Sequence, residues 1–190
     1  MSAQDDYLKE LRKAMDELDS DELNKIIDIL KKAYDGNNSI FIIGNGGSAS
    51  TASHFACDLG KGALGNLYNS DKKRFKVYSL TDNCSSITAI GNDISYDDVF
   101  FQQLKNLASK NDILISFTAS GNSPNILKAI DFANSIGLIS IGFLGFNGGK
   151  AADKLLHKII IKSYNYGIVE DLHLVLEHII TQCLKEKLNE

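Results

Sequence analysis

Residues 40–61 read IFIIGNGGSASTASHFACDLGK, and this stretch decides the fold. The four apolar residues at 40–43 predict a buried strand. The glycine-rich turn GNGGS follows at 44–48, and the small, helix-compatible residues at 49–59 predict a helix. A strand, a glycine turn and a helix in this order direct backbone N–H groups and a helix N-terminus toward an anion.

The turn itself offers several groups to a phosphate. Gly46 and Gly47 let the backbone approach a ligand without a Cβ in the way. Ser48 can cap the helix and donate its hydroxyl to a phosphate oxygen. The pattern is neither G-x-G-x-x-G nor G-x-x-x-x-G-K-[ST], which disfavours a dinucleotide or a P-loop nucleotide. The alternative is an ordinary glycine-rich turn without a ligand.

Composition indicates one soluble domain over residues 1–190. Apolar residues make up 44% and charged residues 23% of the chain, and the net charge is −4. No run of Lys or Arg concentrates positive charge, so we expect no nucleic-acid partner. The three cysteines lack CxxC spacing, which argues against a disulfide framework or a cysteine zinc site. No stretch is long enough for a membrane span, and the polar N-terminus is unlike a signal peptide, so we expect a cytoplasmic protein without a membrane partner.

The N-terminal region predicts a helical hairpin over residues 1–36, ahead of an α/β core and closing helix over 37–190. The acidic residues at 19–22 are typical of the first turn of a helix and therefore predict that a second helix starts there. The apolar faces of the hairpin can pack on the sheet or on another subunit, and the sequence does not decide between them.

Further buried strands alternate with helices along the rest of the chain. We predict strands at 75–80, 113–117, 139–144 and 158–161, helices at 84–91, 95–107, 124–134 and 169–188, and a polar loop at 60–73. This alternation predicts a three-layer α/β fold with a five-stranded parallel sheet covered on both faces.

In such a sheet, ligands bind at the carboxyl ends of the strands. The first three strands end in residues 44–48, 81–83 and 118–123, all rich in hydroxyls, amides or glycine. Pro124 behind Ser123 is a strong helix-start signal. Three such segments at one edge predict a pocket for a phosphate monoester on a polyhydroxylated body.

Two helices carry groups that can do chemistry. His54 and Asp58 share a helix face, where they can hold a divalent metal, form an acid–base pair, or lie on a solvated surface. On the closing helix, Glu170 and His178 are eight residues apart, roughly 12 Å along the axis, so both reach one ion only if it lies between them. On the same helix, we interpret His173 as a packed histidine and Glu177 as a solvated acid. His157, which leads into the last predicted strand, we interpret as structural.

Five collinear segments together resemble phosphoheptose isomerases of the sugar-isomerase (SIS) superfamily. They are GNGGS at 44–48, HFA at 54–56, AIGND at 89–93, SGNSPN at 120–125 and GGK at 148–150. The resemblance implies a flavodoxin-like sheet and a homotetramer with active sites at subunit boundaries. It also implies conversion of sedoheptulose 7-phosphate to D-glycero-D-manno-heptose 7-phosphate through an enediol(ate), at the head of nucleotide-heptose synthesis for surface polysaccharide. Some members bind zinc at the site.

The resemblance also implies roles for individual residues. The substrate site would comprise the phosphate-binding hydroxyls Ser48, Thr118, Ser120 and Ser123, the sugar-contacting Asn45 and Asp82, and the neighbouring Gly46, Gly47, Asn83, Ala119 and Glu170. Asp58 and His178 would be the catalytic pair. His54 would be a metal ligand. Because nitrogen and carboxylate ligands suit zinc, we predict a zinc ion held by His54, Asp58 and His178, with room for Glu170 as a fourth ligand.

The sequence departs from the family at four places. Asp58 stands where a glutamate is usual, and Glu170 where a glutamine is usual. Ala119 replaces a hydroxyl residue, and Lys61-Gly62 replaces an arginine-containing segment. Two alternatives therefore stay open: a non-catalytic SIS protein of the kind that associates with a replication initiator, and an isomerase or sensor of another phosphosugar. Asp58 and His178 favour an enzyme.

Overall fold

The computed structural model describes residues 2–64, 68 and 71–189. Within these residues the chain forms one parallel sheet with the strand order β2-β1-β3-β4-β5. The strands are β1 Ser39–Ile43, β2 Lys76–Ser79, β3 Ile113–Thr118, β4 Ile139–Gly145 and β5 His157–Ile161. This 2-1-3-4-5 order is the flavodoxin-like doubly wound arrangement. The predicted α/β fold is confirmed.

Seven α-helices of the described chain cover the two faces of the sheet. They are α1 Ala3–Asp16, α2 Ser20–Gly36, α3 Gly47–Lys61, α4 Cys84–Asp93, α5 Val99–Leu107, α6 Pro124–Ser135 and α7 Tyr166–Lys187. Short 3-10 turns add Gly62–Leu64, Tyr96–Asp98 and Gly149–Ala151. The predicted helix at 95–107 therefore begins as a 3-10 turn. Residues 65–67, 69 and 70 of the predicted loop lie outside the described residues.

Strand β1 lies between β2 and β3, and its apolar run is buried on both faces. Ile40 pairs with Val77 on one side and with Ile113 on the other. One hydrophobic core joins the sheet to α2, α3 and α7, and a second joins it to α5 and α6. Because helices cover both faces, the inner strands β1, β3 and β4 are buried almost continuously, whereas the edge strand β2 alternates between exposed and half-buried residues.

The N-terminal hairpin divides its apolar faces between the core and the surface. Helix α2 buries Leu23, Ile26, Ile27, Leu30 and Ala33 in the core beneath the sheet. Helix α1 buries only Ala14 completely, and its Leu8 and Met15 stay exposed. The structure therefore packs α2 on the chain's own sheet and leaves much of the apolar face of α1 uncovered.

Helix α7, of 22 residues, closes the fold against α3. It begins earlier than the predicted start at 169, because the Asn165 side chain accepts a hydrogen bond from the Gly167 N–H and caps the helix at Tyr166. Among the described residues, no helix combines the length and the apolar character that crossing a bilayer demands.

Candidate active site

The glycine turn after β1 sets the start of helix α3. Gly46 has φ +57°, which favours glycine, and a Cβ at Gly44 would overlap the carbonyl oxygen of Ser48. The N-cap of α3 is Gly46, and no side chain caps the helix. The prediction that Ser48 caps α3 is therefore wrong, because Ser48 lies inside the first turn. A glycine at the N-cap offers no side-chain acceptor of its own to the first N–H groups of α3.

A pocket of ≈ 150 Å³ opens where β1 and β3 end. Its lining residues are Asn45, Ser48, Phe117, Thr118, Ala119, Ser120, Ser123, Tyr166 and Glu170. The structure thus brings most of the predicted substrate residues to one pocket. Phe117 and Tyr166 were not predicted, since an apolar strand residue and a tyrosine outside the motifs gave no signal. Gly46, Gly47, Asp82 and Asn83 do not line the pocket.

The pocket presents hydroxyl groups at two helix N-termini. Ser48 lies in the first turn of α3, and Ser123 is the N-cap residue of α6, where its side chain makes no capping hydrogen bond. Thr118 accepts a hydrogen bond from the Gly121 N–H at 3.2 Å. Gly121 has φ +63°, and a Cβ there would overlap the Gly148 carbonyl oxygen, so this loop needs glycine. The arrangement suits an anion bound by neutral donors.

Asn45 is fixed at the pocket wall by its neighbours. Its amide and that of Asn125 exchange two hydrogen bonds, both of 2.9 Å. The Tyr96 hydroxyl also donates to Asn45 Oδ1, at 3.0 Å. With these bonds the Asn45 side chain has little rotational freedom left.

The residues after β2 make other contacts. Asp82 Oδ1 accepts hydrogen bonds from Ser53, from Ser79 at 3.2 Å and from Thr81 at 3.3 Å. Asn83 caps α4 by accepting from the Ser86 N–H. The hydroxyls hold the Asp82 carboxylate in place, outside the lining of the pocket.

Glu170 brings a negative charge to the pocket wall. Its carboxylate lies against the start of α3, so a Cβ built on Gly47 would be 2.5 Å from Glu170 Oε2. The positive end of the α3 dipole favours a carboxylate at this position. None of the lining residues is a lysine or arginine. An anionic ligand in the pocket therefore depends on hydroxyls and backbone N–H groups.

A second group of ionisable side chains lies between α3 and α7. His54, Asp58, Glu177 and His178 each place a ligand atom within 4.8 Å of the others. Asp58 Oδ2 is 3.7 Å from His54 Nε2 and 3.8 Å from His178 Nε2. Glu177 Oε1 is 3.5 Å from His54 Nδ1 and 3.4 Å from His178 Nε2. Two imidazoles and two carboxylates at this spacing can hold a divalent metal ion.

Glu177 is wholly buried, with a side-chain exposure of 0%. Neither of its carboxylate oxygens has a hydrogen-bond partner. Burial, together with the charge of Asp58, raises the pKa of Glu177 to about 8. The interpretation of Glu177 as a solvated acid is therefore wrong, because the face of α7 that carries it turns toward α3.

His173, one turn before Glu177, is a packed histidine, as predicted. It is fully buried, with its ring centroid 5.5 Å from that of Phe117. Burial lowers its pKa to about 4, and a backbone contact with Leu144 opposes this only in part. His157, also predicted to be structural, lies outside the cluster, with Nδ1 2.8 Å from Glu22 Oε1.

The predicted metal set placed Glu170 beside His54, Asp58 and His178, whereas the structure puts Glu177 there. Glu170 lies about 10 Å before Glu177 along the helix axis, at the pocket. One sequence signal indicates the burial of Glu177. Leu172, Leu176, Ile180 and Leu184 follow helical spacing, and position 177 falls on the same stripe.

Comparison with known proteins places the chain among its relatives. Residues 5–145 match the SIS domain family. The phosphoheptose isomerase of Aliarcobacter butzleri is 35% identical over 88% of this chain and 86% of its own length. A probable phosphoheptose isomerase of Thermoplasma acidophilum is 34% identical over 95% of this chain and 97% of its own length. The structure of a phosphoheptose isomerase from Neisseria gonorrhoeae superposes with a TM-score of 0.84 and 26% identity, covering 94% of this chain and 92% of that one. The chain belongs to the phosphoheptose isomerase family of SIS-domain proteins.

Proposed function

We propose that this protein is a cytoplasmic aldose–ketose isomerase that converts sedoheptulose 7-phosphate to D-glycero-D-manno-heptose 7-phosphate, as the first step of nucleotide-heptose synthesis for surface polysaccharide. One observation carries the proposal. A pocket suited to an anion and a cluster of histidines and carboxylates lie on the same pair of packed helices, α3 and α7. The names of the relatives support the same reaction.

The pocket would hold the phosphate group. Ser48, Thr118, Ser120 and Ser123 supply hydroxyls, and the N-termini of α3 and α6 supply backbone N–H groups. Hydrogen bonds to a charged acceptor contribute about 1.5–3 kcal/mol each. A phosphate held in this way fixes one end of an extended substrate.

The sugar would run from the pocket along α3 toward the cluster. Ser48 and His54 are six residues apart on this helix, about 9 Å along its axis. Asn45, held by Asn125 and Tyr96, is placed to contact sugar hydroxyls near the phosphate.

Asp58 and His178 would move the protons. Asp58 removes a proton from C1 of the ketose, and His178 donates a proton, from the ring nitrogen that would not hold a metal, to the carbonyl oxygen on C2, which gives an enediol. Asp58 then returns its proton to C2 while His178 takes the proton from the oxygen on C1, which leaves the aldose. The two side chains are 3.8 Å apart, so base and acid act on neighbouring atoms of one substrate.

We also propose that the cluster binds zinc through His54, Asp58 and His178. The chemistry of the donors fits, since imidazole nitrogens and carboxylate oxygens are zinc ligands. The buried, unpartnered oxygens of Glu177 beside them favour a cation at this place. Zinc bound at this place supplies Lewis acidity for a carbonyl oxygen.

We expect the purified protein to convert sedoheptulose 7-phosphate and, in D₂O, to place solvent deuterium on C2 of the aldose product. The experiment incubates the protein with a panel of ketose phosphates in D₂O, with and without added zinc, and follows the C2 position by NMR. Faster turnover of a shorter ketose phosphate would assign the site to another phosphosugar. Failure to turn over any sugar phosphate in either condition would contradict the proposal and favour a non-catalytic SIS binding protein.

We propose a homotetramer, because α1 and α7 leave an apolar groove on the surface. The groove is lined by Leu8, Leu11, Arg12, Met15, Asp171, Leu172, Leu174 and Val175. Leu8 and Met15 are 38% and 44% exposed. Light scattering should give about four times the chain mass, and a Leu8→Glu, Met15→Glu double variant should give a smaller species. A stable monomer of the unmodified chain at micromolar concentration would contradict this assembly.

A further inference from the structure

The buried carboxylate of Glu177 needs a compensating group. Its side chain has 0% exposure, and neither oxygen accepts a hydrogen bond. Removing a carboxylate from water without a partner is costly unless a cation or a proton neutralises it. Nothing in the proposed proton transfers uses this residue.

The atoms around Glu177 suggest what compensates it. Oε1 lies 3.5 Å from His54 Nδ1 and 3.4 Å from His178 Nε2, both too long for good hydrogen bonds. Asp58, a second carboxylate, faces the same two rings at 3.7 and 3.8 Å. One ligand atom from each of the four residues lies within 4.8 Å of the other three, a spacing that is long for direct bonds but suitable for a shared ion between them.

We propose that Glu177 is a direct ligand of the zinc ion in this cluster, where it completes the set of His54, Asp58 and His178 in the place that the sequence assigns to Glu170. This inference rests on the zinc part of the proposed function. Four nitrogen and oxygen ligands satisfy the tetrahedral preference of zinc, and two carboxylates balance the charge of a divalent ion. The ion also explains why a carboxylate occurs at a buried position of α7.

Glu170 is then free for the pocket. It is seven residues before Glu177, about 10 Å along the helix axis, and its carboxylate rests against Gly47 at the start of α3. The two glutamates of α7 thus serve different ends of the site. This separation makes Glu170 a matched control for Glu177 on the same helix.

The test compares Glu177→Gln with Glu170→Gln, since each change keeps the shape of the side chain and replaces a carboxyl group by an amide. Metal-free proteins are titrated with zinc against a competing chelator. Loss of a residue that only orients a ligand costs about 10–100-fold in metal affinity, so loss of a ligand should cost at least about 100-fold. We expect that loss for Glu177→Gln and wild-type affinity for Glu170→Gln. Wild-type zinc affinity in Glu177→Gln overturns the proposal, as does a wild-type protein that binds no zinc.

Thermal unfolding separates ligation from a structural role. Without metal, Glu177→Gln should unfold at about the same temperature as the wild type, because both side chains leave buried polar atoms without hydrogen-bond partners. Zinc should raise the midpoint of the wild type far more than that of the variant. Should Glu177→Gln fail to fold, zinc-soaked crystals of the wild type decide the question by anomalous diffraction. A Glu177 oxygen about 2.0–2.2 Å from zinc is expected, and one well beyond that distance overturns the proposal.

The two proposals can fail separately. Turnover of sedoheptulose 7-phosphate by a protein that binds no zinc would leave the isomerase standing and overturn the ligand assignment. Zinc bound through Glu177 in a protein that turns over no sugar phosphate would do the reverse.

Discussion

Asp58→Asn should lower the isomerase rate by about 10²–10⁴-fold, the usual contribution of a general base. The change keeps the size of the side chain and removes the group that accepts the proton. Binding of the sugar phosphate should be largely kept, because the hydroxyl pocket at the other end of α3 is untouched. Rates are measured with zinc in excess, and binding is measured by calorimetry.

His178→Gln should show a loss of the same order, since glutamine keeps hydrogen bonding and removes the titrating ring. Matched controls are Asp131→Asn, an exposed surface carboxylate paired with Lys154, and His157→Gln, which contacts Glu22 away from the cluster. Both controls should retain the wild-type rate. Near-wild-type activity in both Asp58→Asn and His178→Gln would show that the catalytic pair is misassigned.

The Ser120→Ala, Ser123→Ala double variant should weaken sugar-phosphate binding by about 10²–10⁴-fold. The estimate follows from two lost hydrogen bonds to a charged group, at about 1.5–3 kcal/mol each. Both serines line the pocket, and the Ser123 side chain makes no capping hydrogen bond to α6. Calorimetry with the sugar phosphate measures the change.

The matched control for this double variant is Ser135→Ala, at the other end of α6, where the hydroxyl bonds only to the Phe132 carbonyl. It should bind the sugar phosphate as the wild type does. Unchanged affinity in the Ser120→Ala, Ser123→Ala protein would rule out this pocket as the phosphate site.

Most of the fold could be predicted from the sequence because its signals are local. The apolar run at 40–43 is continuous, and the structure buries it between two helical layers. Pro124 directly behind Ser123 predicts the start of α6, and α6 begins there. The predicted start of α7 at residue 169 was wrong, because the Asn165 side chain caps the helix and α7 begins at Tyr166.

The position of the pocket could also be predicted from the sequence. Parallel strands present their carboxyl ends at one edge, so polar segments after β1 and β3 had to converge. The structure places Asn45, Ser48, Thr118, Ser120 and Ser123 around one space. Asp82 also follows the carboxyl end of a strand, but it does not line the pocket. Hydroxyl groups of three neighbouring residues hold its carboxylate elsewhere.

The sequence by itself determined the sheet, the glycine turn, the polar strand ends and the presence of histidines and carboxylates on α3 and α7. Only the tertiary structure decided which glutamate of α7 joins His54, Asp58 and His178. Helical spacing places both Glu170 and Glu177 near one face, but the packing of α7 against α3 sets which turn lies opposite His54. The burial of a charged group depends on that contact between distant segments, and local sequence does not contain it.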